Sequence, residues 1–102
     1  MKLGIPATFV ALCLTAHWAV AQPSASNQAR SWAAGCANCH GTQGNALEGQ
    51  VSLAGMPKSD MVQKMQDFKT GRRPATLMHQ LAKGYTDEQI EAIAAYYAAQ
   101  KK

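Results

Sequence analysis

The sequence predicts an all-α fold of about four short helices, and three observations predict it. Nineteen of the 102 residues are alanine and β-branched residues are few, a balance that favours helix over sheet. Thr86-Asp87-Glu88-Gln89 has the form of a capping box, followed by apolar residues at helical spacing. No stretch alternates apolar and polar residues as a half-buried strand would. The length allows one small domain, and 47% apolar against 16% charged residues excludes a disordered chain. A formal charge of +4 is mildly basic, short of the density of a nucleic-acid wrapper.

The N-terminus predicts a cleavable secretory signal over residues 1–21. Met1-Lys2 is a short basic start, Leu3 to Val20 carries no Lys, Arg, Asp or Glu, and Ala19-Val20-Ala21 is a small-x-small cleavage pattern before the polar run Gln22 to Asn27. A membrane anchor is disfavoured, because Gly4, Pro6, Thr8, Thr15 and His17 dilute the apolar run. A lipoprotein site at Cys13 is disfavoured by Leu12, where a small residue is needed. Cleavage leaves a periplasmic domain over residues 22–102 with no stable membrane insertion.

Residues 22–27 read as a leader, and a first helix is expected from about Gln28 to Cys39, capped by Ser26 or Asn27. Gly41, Gly44, Gly49, Gly55 and Pro57 mark residues 41–57 as a long loop, of the kind that wraps something. A second helix is expected over about Pro57 to Thr70, with Gly71 ending it in a left-handed conformation; Met61, Met65 and Phe68 share one face. Pro74 breaks the chain before a short helix from about Ala75 to Lys83. The last helix follows the capping box, with Ile90, Ile93, Ala94 and Tyr97 on its inner face.

A domain of this size buries a thin core and needs a staple. Only Cys36 and Cys39 remain after cleavage, and a disulfide at that spacing closes almost no loop. Cys36-Ala37-Asn38-Cys39-His40 instead suits one covalent haem c: two thiols add to the vinyl groups and the next residue, His40, lies beneath the iron. Zinc would need a second Cys/His pair, and a thioredoxin-like dithiol a βαβ surround; neither pattern is present.

A ligand from the other side of the ring is drawn from Met56, Met61, Met65, Met78 and His79. Met61 and Met65 share the Phe68 stripe and read as core fillers. Met78 follows the Arg72-Arg73-Pro74 break and is favoured; Met56, in the loop, and His79 stay open. The cluster Lys58, Lys64, Lys69, Arg72 and Arg73, offset by Asp60 and Asp67, reads first as a solvated face and second as a steering surface for an acidic partner.

Gly35-Cys36-Ala37-Asn38-Cys39-His40-Gly41, Ser52-Leu53-Ala54-Gly55, Phe68 to Met78 and Ile90 to Tyr97 resemble the bacterial short-chain branch of the class I cytochromes c. Lys69-Thr70-Gly71-Arg72-Arg73-Pro74 through Met78, with Ala82-Lys83-Gly84-Tyr85, is most similar to the cytochrome subunits of flavocytochrome c sulfide dehydrogenases. The resemblance implies a class I cytochrome c fold, with helices around one haem and the first and last helices crossing. Gly35 would permit their close approach against Tyr96 or Tyr97. It implies His40 and Met78 as axial iron ligands, and electron transfer with a flavoprotein dehydrogenase subunit or another redox protein. The alternative is a free shuttle to a terminal oxidase or other respiratory complex. In either setting the protein is not catalytic by itself, and a haem-based sensor or peroxidase would need an open distal site. One departure stands out. The family's Gly-Pro pair after the haem motif is replaced by Leu47-Glu48-Gly49-Gln50. The motif therefore leaves open which backbone carbonyl accepts from the His40 ring N–H.

Overall fold

Ser24 opens the helical chain: its hydroxyl accepts from the Asn27 N–H at 3.3 Å, and the helix α1 runs over Ala25–Ala33. The computed structural model describes Met1 and residues 24–102, so the expected signal segment and its cleavage point lie outside the described residues. The helix thus starts three residues before the expected one, because Ser24, not Ser26 or Asn27, supplies the cap. Residues expected in the leader form its first turn. The chain continues with right-handed helical dihedrals through a 3-10 turn, Ala34–Cys36, into α2, Ala37–His40, so the three pieces form one segment.

Gly41 ends that segment, and the loop to Pro57 is irregular apart from a 3-10 turn at Thr42–Gly44. It is pinned internally by Ala46 N–H donating to Ser52 Oγ at 3.0 Å. The Gly55 N–H ties it to the last helix by donating to the Tyr97 carbonyl at 2.9 Å.

The helix α3, Lys58–Lys69, follows Pro57. Asp60 in its first turn and Lys69 in its last suit the helix dipole, and Met61 and Met65 are buried. Gly71, at φ +79°, leaves the helix in the expected left-handed conformation. The helix α4, Met78–Lys83, begins three residues later than expected. Pro74 disfavours helical geometry in the residue before it, and Leu77, with no capping side chain and φ −137°, supplies the break. The helix α5, Asp87–Ala98, has both halves of the capping box: Thr86 Oγ1 accepts from Gln89 N, and Gln89 Oε1 accepts from Thr86 N.

The core lies where α1, α3, α4 and α5 meet: Ala33, Met61, Met65, Ala82, Ile90, Ile93, Ala94 and Tyr97. Tyr97 and Ile90 are each 1% exposed, and burial of a side chain such as Ile90 contributes roughly 1.5–3 kcal/mol. Tyr97 reaches across to α1, its hydroxyl donating to the Ala33 carbonyl at 2.7 Å. The close approach falls at Gly44, not Gly35. A Cβ on Gly44 would lie 2.7 Å from the Tyr97 ring, whereas one on Gly35 would meet the Tyr85 hydroxyl at 3.2 Å. The described residues contain no strand, and no helix among them is long and apolar enough to cross a membrane.

Candidate functional site

The N-terminal segment delivers the Cys-x-x-Cys-His sequence at its end, where the chain turns into the long loop. Cys36 closes the 3-10 turn and is half-buried; Cys39 lies exposed on α2; His40 is its last residue. Met78 is the first residue of α4 and is half-buried. All four lie on the wall of one cleft of about 670 Å³. That is within the roughly 300–1,000 Å³ of cofactor pockets. Loop residues Gln50, Val51, Leu53 and Met56 form one side, the α3 stripe of Met61, Met65 and Phe68 another, and Leu77, Met78 and Leu81 a third. The loop expected to wrap something does line the cleft.

The imidazole is oriented by the loop. His40 Nδ1–H donates to the Val51 carbonyl at 2.6 Å, which fixes the tautomer and leaves Nε2 with its lone pair. Val51 follows directly after the Leu47-to-Gln50 stretch that lacks proline. The turn at Leu47–Gln50 and the Ser52 staple brace the loop on either side of this carbonyl. No side-chain pattern marks a backbone acceptor, so only its neighbourhood was legible in the sequence.

Burial pushes the Cys36 thiol up, with a Tyr97 contact acting the other way. Burial also raises the Tyr97 phenol, and the nearby Cys36 adds to it. The Cys36 thiol is therefore neutral near pH 7, unlike the attacking thiolate of a redox-active dithiol. Met56, Met61 and Met65 share the cleft with Met78, while His79 does not reach its wall, and His79 Nδ1 is buried without a hydrogen-bond partner. The wall fits a large flat macrocycle in its volume, its apolar lining and its donor set of two thiols, an imidazole and thioethers.

Residues 23–96 match the family described as "Cytochrome C oxidase, cbb3-type, subunit III". The chain belongs to the cytochrome c family. It has one covalent haem c motif and the class I cytochrome c fold. This cytochrome is 44% identical over 61% of its length to the cytochrome subunit of sulfide dehydrogenase of Chlorobaculum tepidum, covering 56% of that protein. It is 34% identical over 84% of its length to a thiosulfate dehydrogenase electron acceptor of Thiomonas intermedia, covering 37%. It is 36% identical over 88% to cytochrome c4 of Pseudomonas aeruginosa, covering 44%. Among solved structures, the cytochrome c4 of Acidithiobacillus ferrooxidans superposes with a TM-score of 0.67 at 28% identity, over 76% of this chain and 51% of that one. The cytochrome thus spans about half or less of the length of these relatives.

Three cleft features were not picked out from the sequence. The Val51 carbonyl has no sequence signature. Lys64 lines the cleft three residues after Met61 and four before Phe68, so the helical stripe already contained it. Arg73 also lines the cleft, whereas its neighbour Arg72 turns away to Asp67, with Arg72 Nη2 3.2 Å from Asp67 Oδ1.

Proposed function

We propose that this chain is a periplasmic one-electron carrier whose haem is held by thioethers at Cys36 and Cys39 and ligated by His40 and Met78. The observation that carries this reading is the His40–Val51 hydrogen bond, on a cleft whose wall also holds both cysteines and Met78. The haem, when bound, supplies the ferric/ferrous couple. Val51 holds the His40 ring with Nε2 left free to ligate an iron, and its carbonyl would make the imidazole a better electron donor. Met78 offers a soft thioether that favours the ferrous state relative to a second imidazole. The apolar wall would keep water from the haem, and ligation by both His40 and Met78 would leave no site for a substrate, which argues against a sensor or peroxidase.

The donor we propose is the flavoprotein subunit of a sulfide dehydrogenase, supported by the similarity to the Chlorobaculum tepidum cytochrome subunit. The similarity to a thiosulfate dehydrogenase electron acceptor favours the second reading, a free shuttle toward a terminal oxidase or other respiratory complex. Residues 1–21 are proposed as the export signal and 22–102 as the mature domain. The test is rapid mixing of the oxidised cytochrome with a purified flavoprotein sulfide dehydrogenase subunit and sulfide. Haem reduction at the rate of flavin oxidation, in a complex that survives gel filtration, supports the subunit setting. Slow reduction with no complex overturns it in favour of the shuttle.

A further inference from the structure

Five cations, Lys58, Lys64, Lys69, Arg72 and Arg73, cluster on α3 and the loop after it. Three of them are paired: Lys58 with Glu91 at 2.8 Å, Lys69 with Asp87 at 3.2 Å and Arg72 with Asp67 at 3.2 Å. Lys64 and Arg73 have no carboxylate partner among the described residues, and these same two line the haem cleft. The cleft wall carries no Asp or Glu; its other titratable groups are Cys36, Cys39, His40 and Tyr85.

Their placement is specific. Lys64 and Phe68 are one turn apart on the cleft face of α3. Arg73 lies over the Phe68 ring at 5.6 Å from its centroid, and its backbone N–H donates to the Asp67 carbonyl at 3.1 Å. The two cations therefore flank one aromatic ring at the edge of an apolar cavity. Lys64 is half-buried and Arg73 exposed, and with no carboxylate on the cleft wall the pair leaves a local excess of positive charge that an anionic occupant would complement. Haem carries two propionate carboxylates.

We propose that Lys64 and Arg73 anchor the two haem propionates. The inference rests on the haem reading above and adds to it the orientation of the ring: the propionate edge faces α3 and the Arg73 loop. Arg73 offers a planar fork suited to a carboxylate, pre-set by the Phe68 stack; Lys64 offers a point charge. Both are positioning residues. By holding the propionates ionised they keep the potential flat with pH through the neutral range, and as cations they disfavour the ferric state.

The experiment uses the loaded protein with Lys64→Met, Arg73→Met, Arg73→Lys and the outward control Arg72→Met. Midpoint potentials are measured across pH 4 to 9, with redox-difference infrared spectra in the carboxylate region. Lys64→Met and Arg73→Met should each lower the potential at pH 7. Each should also raise the pH at which the potential begins to depend on pH by about 1 unit, the size of a lost neighbouring cation. Arg73→Lys should restore most of the wild-type curve, and Arg72→Met should follow it. The carboxylate bands should shift in the Met variants at positions 64 and 73 alone. If Arg73→Met fails to fold, Lys64→Met and Arg73→Lys still decide. Wild-type curves and bands in both cleft variants overturn the propionate anchor while retained haem colour on a denaturing gel leaves the haem reading intact. Wild-type protein that loses its haem on that gel overturns the haem reading itself.

Discussion

The Tyr97 hydroxyl and the Ala33 carbonyl meet across 2.7 Å, tying α5 to α1 over 64 residues of chain. The bond is buried, and because Ala33 offers α5 only a methyl group, the tyrosine supplies both the volume and the polar tether. The same ring presses on Gly44, so one side chain fixes the first helix, the last helix and the start of the haem-side loop.

Tyr97→Phe should therefore destabilise the fold without disturbing the haem. It removes the buried hydroxyl bond to the Ala33 carbonyl, a loss of about 1 kcal/mol in urea unfolding. Gly44→Ala should cost more, at least about 2 kcal/mol, because its Cβ would meet Tyr97 at 2.7 Å and the Ala54 nitrogen at 2.8 Å at a φ of +80°. A Gly44→Ala protein as stable as wild type would refute the packing role assigned to that glycine.

The parts legible in the sequence were those with a local cause. Thr86 and Gln89 cap α5 through side chains three residues apart, and Ile90, Ile93, Ala94 and Tyr97 repeat at helical spacing, so both could be read off the sequence. Gly71 ends α3 for a reason confined to its own dihedral. The sequence was less informative where the cause lies across the fold. Gly35 and Gly44 are equivalent as glycines, and only the path of the loop puts Gly44 under Tyr97. The basic cluster read as one solvated face, yet Asp67, Asp87 and Glu91 pair with three of its members and leave two to the cleft.

The end of α3 is clasped to the start of α5 and the turn before it. Asp87 accepts from Gln66 Nε2 at 2.9 Å and from Lys69 Nζ at 3.2 Å, and Lys69 also donates to the Tyr85 carbonyl at 2.7 Å. The Gln66 hydrogen bond, and then Lys69, hold the Asp87 carboxyl below its ordinary value of 3.8. A carboxyl depressed on folding contributes stability above that value and loses it as pH falls through the folded one. Asp87→Asn should thus be slightly less stable than wild type at pH 7 and indistinguishable from it in strong acid. Because Asp87 is exposed, the difference should shrink in high salt. Unfolding curves from pH 2 to 7 check this; a gap that widens in acid would contradict it.

Ser52→Ala should act on the metal through the loop. It removes the acceptor for the Ala46 N–H and so loosens the turn that presents the Val51 carbonyl to His40. A weaker bond at Nδ1 makes the imidazole a poorer donor, which favours ferrous iron, so the potential should rise. Voltammetry of the loaded variant measures the shift. A fall in potential would indicate that Val51 is not the acceptor in the loaded protein.

Export should leave a chain beginning at Gln22. The expectation rests on Ala19-Val20-Ala21 and the polar switch that follows. Ser24 caps α1 two residues further on, so the folded domain starts almost at once after the cut. Intact-mass measurement of the protein from the periplasmic fraction should give residues 22–102 plus one haem. A mass retaining Leu3 to Val20 would mean a membrane-anchored form.

Met78 should be the distal ligand. Four methionines share the cleft wall, so position alone does not choose among them. Their settings differ. Met61 and Met65 are 4% and 8% exposed within the α3 core stripe, where withdrawing a side chain would open a cavity. Met56 lies in the loop just before α3. Met78 opens α4 behind the Pro74 loop, 38 residues after His40, on a short helix whose start no side chain caps, so its approach costs the core little. The oxidised protein should show the weak far-red sulfur-to-iron band. Met78→Ala should abolish the band, lower the potential and open the iron to carbon monoxide. Met56→Leu, Met61→Leu and Met65→Leu should keep the band, each at a packing cost below about 1.5 kcal/mol. If Met78→Ala keeps the band while Met56→Leu loses it, the loop methionine is the ligand and electron transfer still stands. If the wild-type protein itself binds carbon monoxide tightly, the distal position is open, and the chain is better read as a gas sensor than as a carrier.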